Sequence, residues 1–124
     1  MVQLGIGASG LGTHCGIAHL KHLVRNPDVS LKGGYDPDTA NYQTLAERFD
    51  IQLSAYDSYE AMLDARDIDA IIIASPDNMH TRQLQQAVDA GKHVLCEKPL
   101  CSTEDEIQQL RQILDTAAHK GLIV

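Results

Sequence analysis

The sequence predicts an α/β fold: an open, doubly wound, mostly parallel sheet with helices on both faces, occupying residues 1–124 as one domain. Three observations carry this expectation. Apolar runs of strand length alternate with segments of helical periodicity along the chain. The run Asp69-Ala70-Ile71-Ile72-Ile73-Ala74 is apolar without alternation, as a strand covered on both faces requires. With 124 residues, 44% of them hydrophobic, the chain has enough material for one core and little for a second.

Val2 to Ser9 reads as the first strand, and after a glycine-rich turn Ile17, Leu20 and Val24 mark the inner stripe of a helix. Asn26-Pro27-Asp28 stops that helix, because proline lacks the N–H that another turn needs. Val29 to Tyr35 then forms a second strand ending at Asp36, followed by a helix over Asp38 to Arg48 with Leu45, Ala46 and Phe49 inward. A short strand is expected near Ile51 to Ala55. Asp57 with Glu60 three residues later reads as the capping-box start of a short helix carrying Met62 and Leu63. The Asp69–Ala74 run is placed at the centre of the sheet. His80, Leu84, Ala87 and Val88 recur at helical spacing, and Gly91 supplies a left-handed stop before a strand over Lys92 to Cys96. A last helix, capped by Ser102 or Thr103, runs through Ile107, Leu110, Ile113 and Leu114 to about His119. Gly121-Leu122-Ile123-Val124 begins another strand, so the sheet is expected to be cut at the start of its last strand. Such a sheet exposes apolar surface where later strands would pack, which favours self-association as a homo-oligomer.

Charge and cysteine content narrow the partners. A formal net charge of −7 argues against a nucleic-acid partner, whose phosphates would be repelled. An anionic ligand is therefore to be held locally, by backbone N–H groups at a helix N-terminus. The longest apolar run, Ala70 to Ala74, falls far short of the roughly 20 residues that span a bilayer, so neither a membrane span nor a targeting peptide is expected. Cys15, Cys96 and Cys101 make an odd count without C-x-x-C spacing, which suits a reducing cytoplasm rather than a disulfide framework.

Two segments, Ala74-Ser75-Pro76-Asp77-Asn78 and Cys96-Glu97-Lys98-Pro99, follow predicted strands, and the glycine-rich stretch from Gly5 to Gly16 belongs to the same edge. In an open α/β sheet the crevice beyond the carboxyl ends of the strands is where ligands bind, so all three should line one pocket. The turn offers two glycine frames, a literal G-x-G-x-x-G at Gly5, Gly7 and Gly10, or Gly10-Leu11-Gly12-Thr13-His14-Cys15. Either supplies a tight turn and room for the backbone to approach a pyrophosphate. Asp36, at the end of the second strand, can accept hydrogen bonds from ribose hydroxyls, whereas a 2′-phosphate there meets like charge from Asp36 and Asp38. The pattern points to a nicotinamide dinucleotide, NAD rather than NADP; the alternative for Asp36 is a simple helix cap. Glu97 and Lys98 after a buried strand are costly to desolvate unless they pair or meet a polar ligand, and a cis Lys98–Pro99 bond would aim both into the crevice. His80 falls in register with an apolar stripe, so it reads equally as a core histidine or a ligand contact. No metal is expected; the alternative is a soft-metal set of Cys15, His19 and His22 on the exposed face of the first helix, with His14 nearby.

The segments Asp69 to His80 and Ala90-Gly-Lys-His-Val-Leu-Cys-Glu-Lys-Pro-Leu100, together with Asn26-Pro27-Asp28-Val29 and Asp36-Pro37-Asp38, resemble the Gfo/Idh/MocA family of oxidoreductases over nearly the whole chain. The resemblance implies a Rossmann-like cofactor domain whose family members continue into a larger substrate domain. It favours the Gly10–Cys15 frame, so that Gly10, Gly12, Thr13 and His14 form the phosphate loop, and His19 matches a histidine common on the family's first helix. It further implies that Ser75 and Pro76 pack near the nicotinamide, with Asn78 and His80 close by. Glu97 would lie near the nicotinamide ribose, and Lys98 would reach the oxygen of the reacting carbon as the catalytic group, with Pro99 fixing the turn. The activity implied is hydride transfer between a sugar- or cyclitol-like alcohol and nicotinamide. The family's further acid/base residue comes from the substrate domain, so the 124-residue chain alone is expected to bind cofactor without efficient turnover. The alternative is a non-catalytic dinucleotide-binding or interaction module.

Overall fold

Apolar strand runs and helical stripes assemble much as their periodicities require in the computed structural model, which describes residues 2–124. Strands β1 (Leu4–Ser9), β2 (Val29–Tyr35), β3 (Ser54–Ala55), β4 (Ala70–Ile73) and β5 (His93–Cys96) form one sheet in the order β3-β2-β1-β4-β5. Every pairing is parallel. The helices are α1 (13–23), α2 (Thr39–Phe49), α3 (Tyr59–Leu63), α4 (His80–Asp89, entered through a 3₁₀ turn at Asp77–Met79) and α5 (Glu104–His119).

The middle strand is β1, not the Asp69–Ala74 run; β4 lies one place away, between β1 and β5. An unbroken apolar run marks burial on both faces, which any interior strand has. Side chains of β4 divide accordingly. Ile71 and Ile73 enter the core with Met62, Leu84, Val88 and Ile113, while Ile72 joins Ile6, Leu11, Cys15, Leu20 and Leu45 on the opposite face. Each such side chain contributes about 1.5–3 kcal/mol relative to exposure. β1 meets its covering helix with almost no side chain: a Cβ on Gly7 would sit 3.0 Å from Ile68 Cδ1 and Met62 Sδ.

Several boundaries move for identifiable reasons. Ser58, not Asp57, caps α3 by accepting from the Ala61 N–H at 3.0 Å. Thr103 caps α5 in a capping box with Glu106. Gly91, at φ +74°, ends the chain's run out of α4 as expected. Residues 121–124 do not form a strand: Val94 N–H donates to the Ile123 carbonyl, but the Ile123 N–H turns to His93 Nδ1 instead of the β5 backbone, so no ladder develops.

α1 departs most from expectation. It is α-helical over Thr13–Cys15, π-helical over Gly16–Leu20 and α-helical again over Lys21–Leu23. Leu20 is buried and Val24 partly so; the side chain of Ile17, the third member of the expected stripe, lies outside the described residues. Cys15 is fully buried in the core rather than on an exposed face with His19 and His22. The i→i+5 pairing of the π segment changes which residues share a face, so spacing counted on a regular α-helix misplaces them.

Apolar surface remains open beside the sheet. Leu4, Leu95, Leu114 and Val124 line a hollow of about 730 Å³ beside the sheet, with Leu95 51% exposed. Among the described residues no helix is long and apolar enough to cross a membrane.

Candidate functional site

The site is built by hydrogen bonds one residue beyond the strands. Gly10 N–H donates to the Tyr35 carbonyl at 2.9 Å, Ala74 N–H to Ser9 at 2.8 Å, and Glu97 N–H to Ile73 at 2.9 Å. The carboxyl ends of β2, β1, β4 and β5 are thereby laced together. Gly10, Asp36, Ser75 and Glu97, which directly follow those ends or lie one residue past them, come to one edge of the sheet.

Gly5 and Gly7 lie inside β1, so the turn into α1 is made by Gly10 and Gly12. These two glycines meet different needs. Gly10 has φ +83°, and a Cβ there would sit 2.5 Å from the carbonyl carbon and oxygen of Ala74. Gly12 caps α1 in an extended conformation, and a Cβ there would meet nothing within 4 Å. The first glycine closes the turn; the second leaves open space over a helix N-terminus, where an anion is favoured.

Asp36 is held by three donors. Its Oδ2 accepts from Leu11 N–H at 2.7 Å and from Asn41 Nδ2 at 3.2 Å, and its Oδ1 accepts from Asp38 N–H at 2.8 Å. The cap of α2 is Asp38, whose side chain accepts from Ala40 N–H. Asp36 is thus a positioned acceptor that braces the glycine turn, with lone-pair capacity left on Oδ1.

Gly10, Gly12, Asp36, Asn41, Ser75 and Pro76 help line a cleft of about 490 Å³. A neighbouring hollow of about 300 Å³ is lined by His14, Ala74, Ser75, Asp77, His80, Glu97 and Lys98, and shares Ala74 and Ser75 with the first. Thr13, Asn78 and Pro99 lie outside both linings; all three are exposed. The Lys98–Pro99 peptide bond is cis.

His80, which the sequence leaves open, is buried and holds two site loops. Its Nδ1 lies 2.6 Å from the Pro99 carbonyl oxygen and its Nε2 lies 2.8 Å from that of Ser75. Glu97 pairs not with Lys98 but with histidines: Oε1 is 2.6 Å from His19 Nε2 and 3.1 Å from His14 Nε2. The His19 and His14 hydrogen bonds, in that order, hold the Glu97 carboxyl below its ordinary range. Burial, followed by the charges of Glu97 and Asp36, pushes the Cys15 thiol up to about 12. Cys15 is therefore a core thiol, not a metal ligand with His19 and His22.

Sequence reasoning missed Gln83. Its buried Oε1 accepts from both Ser9 Oγ, at 3.0 Å, and Ser75 Oγ, at 2.7 Å, tying the exits of β1 and β4. The available signal was a polar residue three positions after His80, in the inward register of α4.

The sequence matches an oxidoreductase family with an NAD-binding Rossmann fold over residues 4–124. The D-glucoside 3-dehydrogenase of Escherichia coli (strain K12) is 31% identical over 121 residues, covering 98% of this chain and 33% of that protein. GenD2 from gentamicin A biosynthesis, solved in complex with NAD, superposes with a TM-score of 0.86 at 27% identity, covering 98% of this chain and 33% of the other. KijD10, a 3-ketoreductase from Actinomadura kijaniata solved with NADP and TDP-benzene, gives 0.84 at 26%, covering 97% and 35%. The chain spans about a third of the length of these relatives. Its all-parallel sheet, its glycine turn and its match over nearly every residue agree: the chain belongs to the Gfo/Idh/MocA oxidoreductase family, of which it carries the NAD-binding Rossmann fold.

Proposed function

We propose that this chain is the cofactor-binding part of a sugar or cyclitol oxidoreductase and that it holds NAD along the carboxyl edge of its sheet. The observation that carries the reading is the lacing of Gly10, Asp36, Ser75 and Glu97 onto one edge by the Gly10–Tyr35, Ala74–Ser9 and Glu97–Ile73 hydrogen bonds. The residues fit the group on their own geometry: a glycine whose missing Cβ leaves open space over a helix N-terminus, and a braced carboxylate one strand away.

Asp36 Oδ1 accepts from the adenosine ribose, and the negative charges of Asp36 and Asp38 disfavour a 2′-phosphate, which selects NAD over NADP. Backbone N–H groups of Gly12, Thr13 and His14 receive the pyrophosphate. Ser75 and Pro76 shape the path toward Glu97 and Lys98, with Asn78 and His80 supporting that loop and Pro99 the next. Bound there, nicotinamide would take a hydride from a carbinol carbon, whose hydroxyl loses its proton as a carbonyl forms, or would return one to that carbonyl carbon in the reverse direction. Lys98 holds that hydroxyl and takes or returns its proton. The alternative reading is a dinucleotide-binding module without catalysis.

Calorimetric titration of the chain with NAD and with NADP tests the proposal. Saturable NAD binding that is tighter than NADP binding supports it, with turnover of sugar alcohols slow or undetectable. A folded chain that binds neither nucleotide overturns it.

A further inference from the structure

The geometry points to a binding site for a divalent transition-metal ion of the Zn²⁺ class at His14, His19 and Glu97. Their ligating atoms all lie within 4.8 Å of one another. Two imidazoles and one carboxylate are a donor set that Zn²⁺ accepts, with a fourth position left for water.

The backbone explains the convergence. His14 and His19 are five residues apart, a spacing that a regular α-helix sends to different faces. The π-helical segment Gly16–Leu20, with its i→i+5 pairing, brings them to one side, where their rings meet edge to face at 6.3 Å. Glu97 arrives from another element, fixed by its own N–H on the Ile73 carbonyl. The His19 and Glu97 side chains are mostly buried, 16% and 21% exposed, so two of the three donors are pre-positioned rather than free surface groups.

Two of the three donor separations are close to what a metal needs. Metal–ligand bonds of about 2.0–2.2 Å in a tetrahedron set neighbouring donor atoms about 3.3 Å apart. His14 Nε2 and Glu97 Oε1 are at 3.1 Å already, and His19 Nε2 has to withdraw from 2.6 Å, a small side-chain rotation. Metal entry replaces two hydrogen bonds to Glu97 Oε1 with two Nε2–metal bonds and one carboxylate–metal bond. Each Nε2 gives up the proton it shares with Glu97: a protonated ring releases it to solvent and keeps the one on Nδ1, while a neutral ring loses it to solvent and takes one up on Nδ1.

His14 and Glu97 also belong to the proposed dinucleotide site, so metal binding is measured in the absence of nucleotide. Chain purified without a polyhistidine tag and stripped with chelator is titrated with Zn²⁺ by calorimetry and with Co²⁺ by visible absorption. The expected result is one ion per chain and the absorption of a tetrahedral Co²⁺ site. His14→Ala, His19→Ala and Glu97→Gln should each weaken binding by about a hundredfold or more, since loss of even an outer-shell partner costs roughly ten- to a hundredfold. His22→Ala, on the exposed face of the same helix, should leave it unchanged. Circular dichroism checks the fold of each variant, and His14, the exposed ligand, gives a variant that folds if the others do not. Absence of binding at 100-fold ion excess over chain, or equal affinity in wild type and His14→Ala, overturns the site. NAD titration of the same chelated samples reports on the cofactor reading independently.

Discussion

Asp36 accepts the Leu11 backbone N–H on Oδ2 at 2.7 Å, so the acid at the end of β2 also fixes the shape of the glycine turn after β1. In the proposed function one carboxylate would serve two tasks, bracing the loop that would receive a pyrophosphate and presenting Oδ1 to a ribose. The two are separable by experiment. Asp36→Ser removes the loop brace for every nucleotide but removes the ribose acceptor and the repelling charge in opposite senses for NAD and NADP.

NAD affinity of Asp36→Ser is therefore expected to fall about tenfold or more, the loss of a charge-assisted hydrogen bond worth about 1.5–3 kcal/mol. NADP affinity should fall less or rise. Parallel titrations read the ratio; equal losses for both nucleotides would confine Asp36 to the brace.

Gly10 and Gly12 are expected to respond in opposite ways to a single methyl group. Gly10→Ala forces a left-handed φ of +83° on alanine and drives a Cβ into the Ala74 carbonyl, so the fold should lose about 2–5 kcal/mol in urea denaturation. Gly12→Ala adds a methyl into open space at a helix N-cap, costing the fold at most about 1 kcal/mol. The same methyl stands where the pyrophosphate is proposed to approach, and nucleotide binding should weaken by about tenfold or more.

Gln83 is the buried acceptor for two hydroxyls, Ser9 and Ser75. Gln83→Leu leaves the fully buried Ser9 Oγ without that acceptor and should destabilise by about 1–3 kcal/mol. Adding Ser9→Ala removes the orphan and should recover part of the loss. A double-mutant cycle in urea measures the coupling, and strictly additive changes would show that the two side chains act independently.

The alternation of strands and helices was legible because burial imposes periodicity on sequence, and the site segments were legible because Gly10, Ser75 and Glu97 stand at or just past strand ends. What escaped were features that depend on local geometry rather than on pattern. Counting along a regular helix grouped Cys15 with His19 and His22, whereas the π segment turns Cys15 into the core and pairs His14 with His19 on Glu97. Asp57 and Ser58 are adjacent residues with capping side chains, and only the path of the chain decides between them. The apolar Asp69–Ala74 run marks an interior strand but carries no information on whether β1 or β4 stands in the middle. Residues 121–124 have strand composition, yet His93 captures the N–H that a sixth ladder would use.

Tyr59 links this buried network to the alkaline stability of the fold. Its hydroxyl donates to the Gln83 carbonyl at 2.8 Å, and burial, with smaller contributions from Cys96 and Glu60, raises its ionisation above the ordinary 10. A group whose folded value is raised contributes stability that is complete below pH 10 and is lost as pH rises through the folded value, because the unfolded chain ionises first. Tyr59→Phe should cost about 0.5–1.5 kcal/mol at pH 7, the worth of one hydrogen bond. The gap between the two proteins should then narrow above pH 10, since phenylalanine has no proton to lose. Urea midpoints measured from pH 7 to about 11 read this directly, because linkage makes the slope of stability with pH a count of protons. A gap that stays constant across that range would mean that the Tyr59 hydroxyl is no harder to ionise in the folded chain than in the unfolded one.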